Sequence, residues 1–114
     1  MLKKILIANR GEIAVRIARA LHDLGLASVA VFAQDDAGAL HTQLADHAVA
    51  LQATGPAAYL DGAALIVAAR AQGCDAVHPG YGFLSESAAF AQACTDAGLA
   101  FIGPTPAQLA LFGV

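Results

Sequence analysis

The chain has 114 residues, of which 58% are hydrophobic and 13% are charged, and its formal net charge is −3. Because roughly 25% of the residues of a free-standing soluble domain are charged, this composition predicts either a sheet covered on both faces or a fragment with exposed partner surfaces. The negative charge gives no support to binding of nucleic acid or of an anionic membrane, which a basic patch would favour.

The first half of the chain alternates short apolar runs with helical patterns. Three apolar runs predict strands, the last of them weaker and near an edge of the sheet: residues 5–8, 29–32 and 48–51. A helical pattern between the first two runs begins at Gly11 and ends at Leu24, and Gly25 is suited to terminate it. Residues 37–44 indicate a short helix or a turn.

The predicted first helix has an apolar face and a charged face. Its apolar positions are Ile13, Ile17, Ala20, Leu21 and Leu24. Its opposite face carries a stripe of mixed charge: Glu12, Arg16, Arg19 and Asp23. The two i, i+4 pairs in this stripe contribute only a few tenths of a kcal/mol each and, by themselves, describe a helix surface exposed to water.

The second half continues the alternation. Two further strands are predicted at residues 76–77 and 99–102. Three helices are predicted: residues 62–72 with Asp61 as cap, a helix that Ser85 or Glu86 opens and Gly98 ends, and a last helix from Pro106 to Leu111 with Thr105 as cap. Strands that alternate with helices predict an α/β fold with a doubly wound, mostly parallel, Rossmann-like sheet.

The stretch from His78 to Glu86, which reads HPGYGFLSE, concentrates the functional side chains of the chain. It follows a strand and precedes a helix, and ligands of open α/β sheets bind at the carboxyl ends of strands. Gly80 and Gly82 allow backbone angles that other residues avoid. One interpretation is a tight structural turn, with His78 hydrogen-bonded locally and Tyr81 packed. The other is a wall that faces a substrate, without a catalytic step, since no nucleophile has an adjacent base.

Several nucleotide, phosphate and metal sites are not supported by the sequence. The loop after the first strand, residues 9–12, holds one glycine where dinucleotide binding needs three, although Asp35 and Asp36 end the second strand where a ribose-binding acid would lie. A G-K-[ST] motif is absent, and a receiver domain would need a lysine after Lys4. Three further polar residues lack the spacing of metal ligands and are predicted to be surface or turn residues: His41, Asp46 and His47.

The N-terminus and the two cysteines favour a cytoplasmic protein. Residues 1–5 lead directly into the first strand and lack the features of a signal peptide, so we expect a cytoplasmic chain or an organelle form whose transit peptide is absent. No apolar run approaches the roughly 18 residues that cross a membrane. Cys74 and Cys94 are predicted to be small buried side chains in a reducing compartment.

Three motifs in order carry a resemblance to a known family. They are ANRGEIA at residues 8–14, HPGYGFLSE at residues 78–86 and FIGP at residues 101–104. Together they resemble the N-terminal domain of biotin carboxylases, or of the biotin carboxylase part of larger acyl-CoA, pyruvate or urea carboxylases, and the similarity runs from Lys3 to Gly113. The resemblance implies a Rossmann-like pre-ATP-grasp domain of a ligase that carboxylates biotin with ATP, Mg²⁺ and bicarbonate.

The resemblance also implies roles for individual residues. Tyr81 and Gly82 would lie beside the biotin ring and the bicarbonate site, and Glu86 would support that pocket. The stripe on the first helix would contact a second subunit through Arg16, Arg19 and Asp23, although the family usually has glutamate at position 23. The remaining biotin carboxylase domains and the biotin carboxyl carrier domain are the implied partners.

We expect residues 1–114 to form a single domain that ends before the central and ATP-grasp domains. In the family an Asp-Lys pair follows, whereas Val114 stands in the place of the aspartate and no lysine is present. The chain alone is therefore predicted to be inactive, with no catalytic residue and no bound cofactor or metal. The carboxyl acceptor beyond biotin is a property of a separate carboxyltransferase. The alternatives are a free-standing α/β binding or assembly module, or the corresponding domain of carbamoyl-phosphate or purine-pathway ligases, against which HPGYGFLSE argues.

Overall fold

Five parallel strands form the sheet in the part of the chain that the computed structural model describes, residues 2–103. The strands are β1 (Lys4–Ile7), β2 (Ala27–Phe32), β3 (His47–Ala50), β4 (Ala76–His78) and β5 (Ala100–Phe101). Their order across the sheet is β3-β2-β1-β4-β5, and each pairs in parallel with its neighbours. The predicted α/β fold is confirmed, and β3 is an edge strand as expected. The helix predicted from Pro106 to Leu111 lies outside the described residues.

Four helices connect the strands within residues 2–103. They are α1 (Gly11–Asp23), α2 (Leu40–Leu44), α3 (Gly62–Ala71) and α4 (Ala88–Asp96). Two short 3-10 turns, at Gln34–Asp36 and Pro56–Leu60, extend the connections after β2 and β3. The carboxylate of Asp61 accepts the Ala64 N–H at 3.1 Å, which confirms Asp61 as the cap of α3. None of these helices has the length and apolar character of a membrane span.

The core lies on both faces of the sheet because successive side chains of a strand point to opposite faces. On one face, Ile5 and Ile7 pack with Ala14, Ile17 and Leu21 of α1. The other face has a separate cluster, which includes Leu6, Val29, Val77, Leu65 and Phe90. Helices α3 and α4 cover this second face through Leu65 and Phe90. The near-continuous apolar runs of β1 and β2 thus belong to strands buried on both sides, whereas the edge strand β3 is mostly exposed.

The buried face of α1 differs in part from the predicted one. Ile17 and Leu21 are buried as expected, but Ala20 is exposed and Leu24 is 72% exposed. The reason is that the helix rests on the sheet through Ala14 and Ala18, whose small side chains are completely buried. This places positions 20 and 24 on the flank of the buried face. The helix ends as expected at Gly25, whose φ is 75° and whose N–H donates to the His22 carbonyl.

Helix α4 begins later than predicted. Ser87, and neither Ser85 nor Glu86, caps the helix, because its hydroxyl oxygen accepts the Phe90 N–H at 3.1 Å. Ser85 and Glu86 belong to turns instead, in which the backbone N–H of Ser85 donates to the Gly82 carbonyl and that of Ser87 to the Leu84 carbonyl. The loop after β4 is therefore two or three residues longer than the sequence indicated, because α4 begins at Ala88.

The two cysteines lie on the α3 and α4 side of the molecule and differ in burial. Cys94 is fully buried in the core, as predicted, whereas Cys74 is only partly buried. Both are free thiols.

Candidate functional site: an anchored loop at the carboxyl edge of the sheet

The loop of residues 78–86 lies beside the loop that follows β1, because β1 and β4 are neighbouring parallel strands. The Ala8 N–H donates to the His78 carbonyl at 2.9 Å, which extends the pairing of the two strands to their ends. Residue 9 therefore starts its loop directly against residues 79–81. This is the edge of an open α/β sheet at which ligands bind.

Asn9 joins the two loops through its side-chain amide. It is only 1% exposed, and its Nδ2 lies 2.7 Å from the Pro79 carbonyl oxygen and 2.7 Å from the Tyr81 carbonyl oxygen. Its Oδ1 accepts the N–H of Arg10 at 2.8 Å. The partners fix the orientation of the amide, since two carbonyl oxygens require the NH₂ group and an N–H requires the oxygen. The segment around Gly80 is thus attached to the end of β1.

Gly80 allows this close approach. Its φ is 65°, in the left-handed region, and a Cβ at this position would lie 2.7 Å from Ile13 Cγ2 and 2.8 Å from Asn9 Nδ2. Both distances are far below ordinary van der Waals contact. The loop backbone consequently lies against the start of α1 and the Asn9 amide, where no larger residue would fit.

The predicted wall residues are exposed beyond this anchor. The side chain of Tyr81 is 78% exposed, and Gly82 and Glu86 are exposed as well. The interpretation of Tyr81 as a packing residue is therefore wrong. The local hydrogen bond of His78 is confirmed, because its Nδ1 accepts the Gly80 N–H at 3.1 Å. Burial lowers the pKa of His78, in keeping with a neutral ring whose Nδ1 is an acceptor.

Phe83 provides a second anchor on the far side of Gly82. It has a φ of 49°, which is uncommon for a residue with a side chain. Its ring packs on Tyr59, with a distance of 5.4 Å between the ring centroids. The buried ring of Tyr59 therefore supports the strained end of the loop.

Tyr59 is held by a charged pair that connects three segments of the chain. Its hydroxyl donates to Asp36 Oδ2 at 2.7 Å and accepts the Ala33 N–H at 3.0 Å. Asp36 also receives two hydrogen bonds from Arg10, at 2.8 Å from Nε and 2.7 Å from Nη2. Arg10 follows Asn9, so the two anchors of the loop start from adjacent residues. We call Arg10, Asp36 and Tyr59 the support triad.

The electrostatics of the support triad follow from these contacts. Hydrogen bonding from Arg10 holds the pKa of Asp36 below its usual value, and the Tyr59 hydroxyl adds to this effect. The hydrogen bond to Asp36 raises the pKa of the Arg10 guanidinium. Burial raises the pKa of Tyr59 to about 12. The triad is therefore a guanidinium, a carboxylate and a neutral phenol at physiological pH.

Sequence reasoning considered Asp36 as a ribose ligand and missed Tyr59. In the structure the Asp36 carboxylate is engaged by Arg10 and Tyr59, which argues against the ribose interpretation. A signal for the ion pair was available: Arg10 and Asp36 follow adjacent parallel strands, whose carboxyl ends share one edge. No comparable signal indicated Tyr59, which lies in an Ala-rich turn.

His41, Asp46 and His47 do not form a common site. His41 is 1% exposed, with Nε2 at 2.9 Å from the Val31 carbonyl oxygen, so its prediction as a surface residue is wrong. Helix α2 packs against α1 and β2 and thereby buries this side chain. Asp46 accepts the Ser28 N–H at 2.8 Å, which links β2 to the start of β3. Residues 2–103 contain no group of three His, Cys, Asp or Glu side chains arranged to hold a metal ion.

The charged stripe of α1 is exposed as predicted. Glu12, Arg16, Arg19 and Asp23 all face the solvent. Arg16 Nη2 lies 3.2 Å from Glu12 Oε1, and both side chains are 77% exposed. The second expected pair, between Arg19 and Asp23, does not form in the described structure. The guanidinium of Arg19 is therefore available to a partner.

Comparison with known proteins identifies similar domains in larger carboxylases. Residues 1–109 match the family described as "Biotin carboxylase, N-terminal domain". A biotin carboxylase of Nostoc sp. (strain PCC 7120) is 53% identical over 111 residues, which make up 96% of this chain and 25% of that protein. The chain thus spans about a quarter of the length of this relative.

Solved structures give the same result. The biotin carboxylase domain of a single-chain bacterial carboxylase has a TM-score of 0.96 and 62% identity, and the match covers 98% of this chain and 26% of that one. The biotin carboxylase domain of Hydrogenobacter thermophilus 2-oxoglutarate carboxylase has a TM-score of 0.96 and 41% identity, over 99% of this chain and 25% of that one. That domain was solved as a dimer in complex with MgADP, ADP and bicarbonate.

Proposed function

The chain belongs to the family of biotin carboxylase N-terminal domains, and on this premise we propose that its 78–86 loop forms one wall of a biotin carboxylation pocket. The observation that carries the proposal is the exposure of Tyr81 on a loop whose backbone is anchored on both sides. A large aromatic side chain with 78% of its surface free contributes little to the core. Its position at the carboxyl edge of the sheet suits contact with a ligand.

In this proposal Tyr81 and Gly82 contact the biotin ring and the bicarbonate side of the pocket, and Glu86 supports them. Gly82 has a φ of 69° and would let the backbone approach the ligand without a side chain. None of the three acts as a nucleophile or as a general base. The wall therefore excludes water from biotin and orients it, while other domains supply the chemistry.

We further propose that the chain alone neither binds ATP and Mg²⁺ nor carboxylates biotin. Phosphoryl transfer requires basic groups and a metal that converge on the transferring phosphate. The six Lys and Arg residues are dispersed: Arg10 is paired with Asp36, and the side chains of Arg16, Arg19 and Arg70 point outward on two different helices. These basic side chains do not converge on one place where a phosphate could bind. The proposed partners are accordingly the remaining biotin carboxylase domains and a biotin carboxyl carrier domain, within a cytoplasmic ligase of which residues 1–114 are one domain.

The stripe on α1 is proposed as a contact between subunits through Arg16, Arg19 and Asp23. Two features support this assignment: every residue of the stripe is exposed, and the similar domain of 2-oxoglutarate carboxylase was solved as a dimer. An exposed guanidinium such as that of Arg19 forms bidentate contacts with a carboxylate of a partner. Assembly would thus use a face of α1 that points away from the sheet.

The wall is tested by Tyr81→Ala in the carboxylase that contains this chain. The KM for free biotin should rise about tenfold, while the KM for ATP stays unchanged, because the substitution removes a contact to one substrate only. Val67→Ala is the matched control, since Val67 is also an exposed apolar side chain, on α3 and outside the loop. An unchanged KM for biotin would contradict the wall. ATP hydrolysis by the purified 114-residue chain would contradict its proposed inactivity.

A further inference from the structure

We propose that Asn9 is a positioning residue for the Tyr81–Gly82 wall, because its buried amide holds the loop backbone on both sides of Gly80. The inference rests on the proposed function of that wall. It adds a residue that contacts neither the biotin nor the bicarbonate of the proposed pocket. Its action is through the loop.

Asn9 uses both its side-chain NH₂ group and its side-chain oxygen in hydrogen bonds. The NH₂ group contacts the 78–86 loop, and the oxygen contacts the loop that follows β1. Both Nδ2 hydrogens are donated across the fold, to carbonyl oxygens 70 and 72 positions along the chain. The amide is 1% exposed, so water cannot replace a lost partner. The contact with the Pro79 carbonyl is buried, so loss of the donor would cost the desolvation of that group, whereas the contact with the Tyr81 carbonyl is partly buried. The loop thus gains a strong preference for one position.

The two carbonyls that Asn9 contacts determine which part of the loop it positions. Pro79 and Tyr81 contribute the two carbonyls on either side of Gly80, so Asn9 fixes two peptide planes near the wall. The carbonyl carbon of Tyr81 is bonded to the nitrogen of Gly82, the second wall residue. Tyr81 itself is too exposed for packing to hold it. Its direction therefore depends on the backbone, and the backbone depends on Asn9.

The rest of the fold limits the effect of losing this amide. Phe83 remains packed on Tyr59, and the strands β1 and β4 remain paired. The loop would consequently shift while the sheet and the support triad stay in place. A loss of ligand binding is expected, with folding retained.

Asn9→Asp isolates the donor half of the side chain. Aspartate has nearly the shape of asparagine, and one of its oxygens can still accept the Arg10 N–H. The other oxygen would face the Pro79 and Tyr81 carbonyls as a carboxylate, and acceptors at such distances repel. Gln43→Glu is the control, because it makes the same chemical change at an exposed amide of α2, whose Nε2 lies 3.3 Å from the Gly38 carbonyl.

The first measurement needs no biotin. In ¹H–¹⁵N spectra of the 114-residue chain, Asn9→Asp should shift the amides of Tyr81 and Gly82, whereas the amides of β2 and β3 keep their positions. Gln43→Glu should leave the loop amides unchanged. Acidification should partly restore the loop in Asn9→Asp, since a protonated carboxyl group can donate to one of the two carbonyls. Unshifted loop amides would overturn the inference.

The second measurement is kinetic and uses the carboxylase that contains the chain. Asn9→Asp should raise the KM for biotin about tenfold, with kcat and the KM for ATP changed less than about threefold. If Asn9→Asp does not fold, Gly80→Ala replaces it, because the added Cβ would push the loop away from Asn9 and Ile13. A shifted loop with an unchanged KM for biotin would overturn the positioning role. Absence of biotin carboxylation in the wild-type enzyme would instead overturn the proposed function, and the spectra would still report on Asn9.

Discussion

Tyr59 and Asp36 share a hydrogen bond of 2.7 Å directly behind the loop that presents Tyr81. The hydroxyl of Tyr59 also accepts the Ala33 N–H at 3.0 Å, at the end of β2. One buried phenol therefore connects the turn after β3, the end of β2 and the ring of Phe83. This relationship makes the support triad a part of the candidate site as well as of the core.

Tyr59→Phe should destabilise the chain by about 1–3 kcal/mol. The substitution keeps the ring that packs on Phe83 but removes the hydroxyl, so the buried Ala33 N–H loses its acceptor and Asp36 loses a donor. Urea unfolding followed by circular dichroism measures the change in the free energy of unfolding. Tyr81→Phe is the control and should change it by less than about 0.5 kcal/mol, because the Tyr81 side chain is exposed. Equal effects of the two substitutions would contradict the role of the Tyr59 hydroxyl.

The ion pair of Asp36 and Arg10 should make stability depend on pH in the acid range. The pKa of Asp36 in the folded chain lies below its unfolded value of about 3.9, because Arg10 and Tyr59 donate hydrogen bonds to the carboxylate. The pair therefore stabilises the fold at pH values above about 4, and this contribution is lost as the pH falls toward the folded pKa.

Asp36→Asn tests this dependence. The difference in the free energy of unfolding between the wild-type chain and the variant should be largest between pH 5 and 7. This margin should narrow below about pH 4. Urea unfolding at a series of pH values measures the margin. Asp96→Asn controls for the loss of one negative charge at an exposed position. A margin that stays constant down to pH 2 would show that the ionised form of Asp36 contributes nothing.

Much of the fold could be predicted because the signals are local. Short apolar runs predicted the strands, and Asp61 and Gly25 marked helix ends through contacts with residues three positions away. The alternation of strands and helices then left a parallel sheet as the consistent arrangement. The position of the 78–86 loop at the ligand-binding edge follows from that arrangement alone.

Apart from the ion pair of Arg10 and Asp36, the contacts that support the candidate site could not be predicted, because they join residues that are distant in sequence. The Asn9 amide reaches Pro79 across 70 positions, and the Tyr59 hydroxyl reaches Asp36 across 23. A single sequence contains no pattern that pairs these residues. The burial of His41 could not be predicted for the same reason, since its acceptor on β2 becomes a neighbour only when α2 packs. Exposure of Tyr81 likewise depends on the turns that delay α4 to Ala88.

The two thiols should differ in reactivity in the native chain. Burial raises the pKa of Cys94 to about 11 and also raises the pKa of Cys74, which is only partly buried. Cys74 should therefore react first with a disulfide reagent at pH 8, and Cys94 should react only when the chain opens. Single-cysteine variants, Cys74→Ser and Cys94→Ala, separate the two rates, and urea should abolish their difference. Comparable rates in the native chain would contradict the burial of Cys94.

Arg19→Glu should abolish self-association through α1 without unfolding the domain. The Arg19 side chain is exposed and faces away from both core clusters, so the reversal of its charge costs the fold little. At a contact between subunits, the same reversal would place like charges opposite each other or leave a partner carboxylate without its counter-ion. Sedimentation velocity of the proposed full-length carboxylase should show a dimer for the wild type and a monomer for Arg19→Glu. Arg70→Glu reverses a charge that is also exposed, on α3, and should leave the dimer intact. A dimer that persists in Arg19→Glu, or one that Arg70→Glu disrupts equally, would place the contact on another surface.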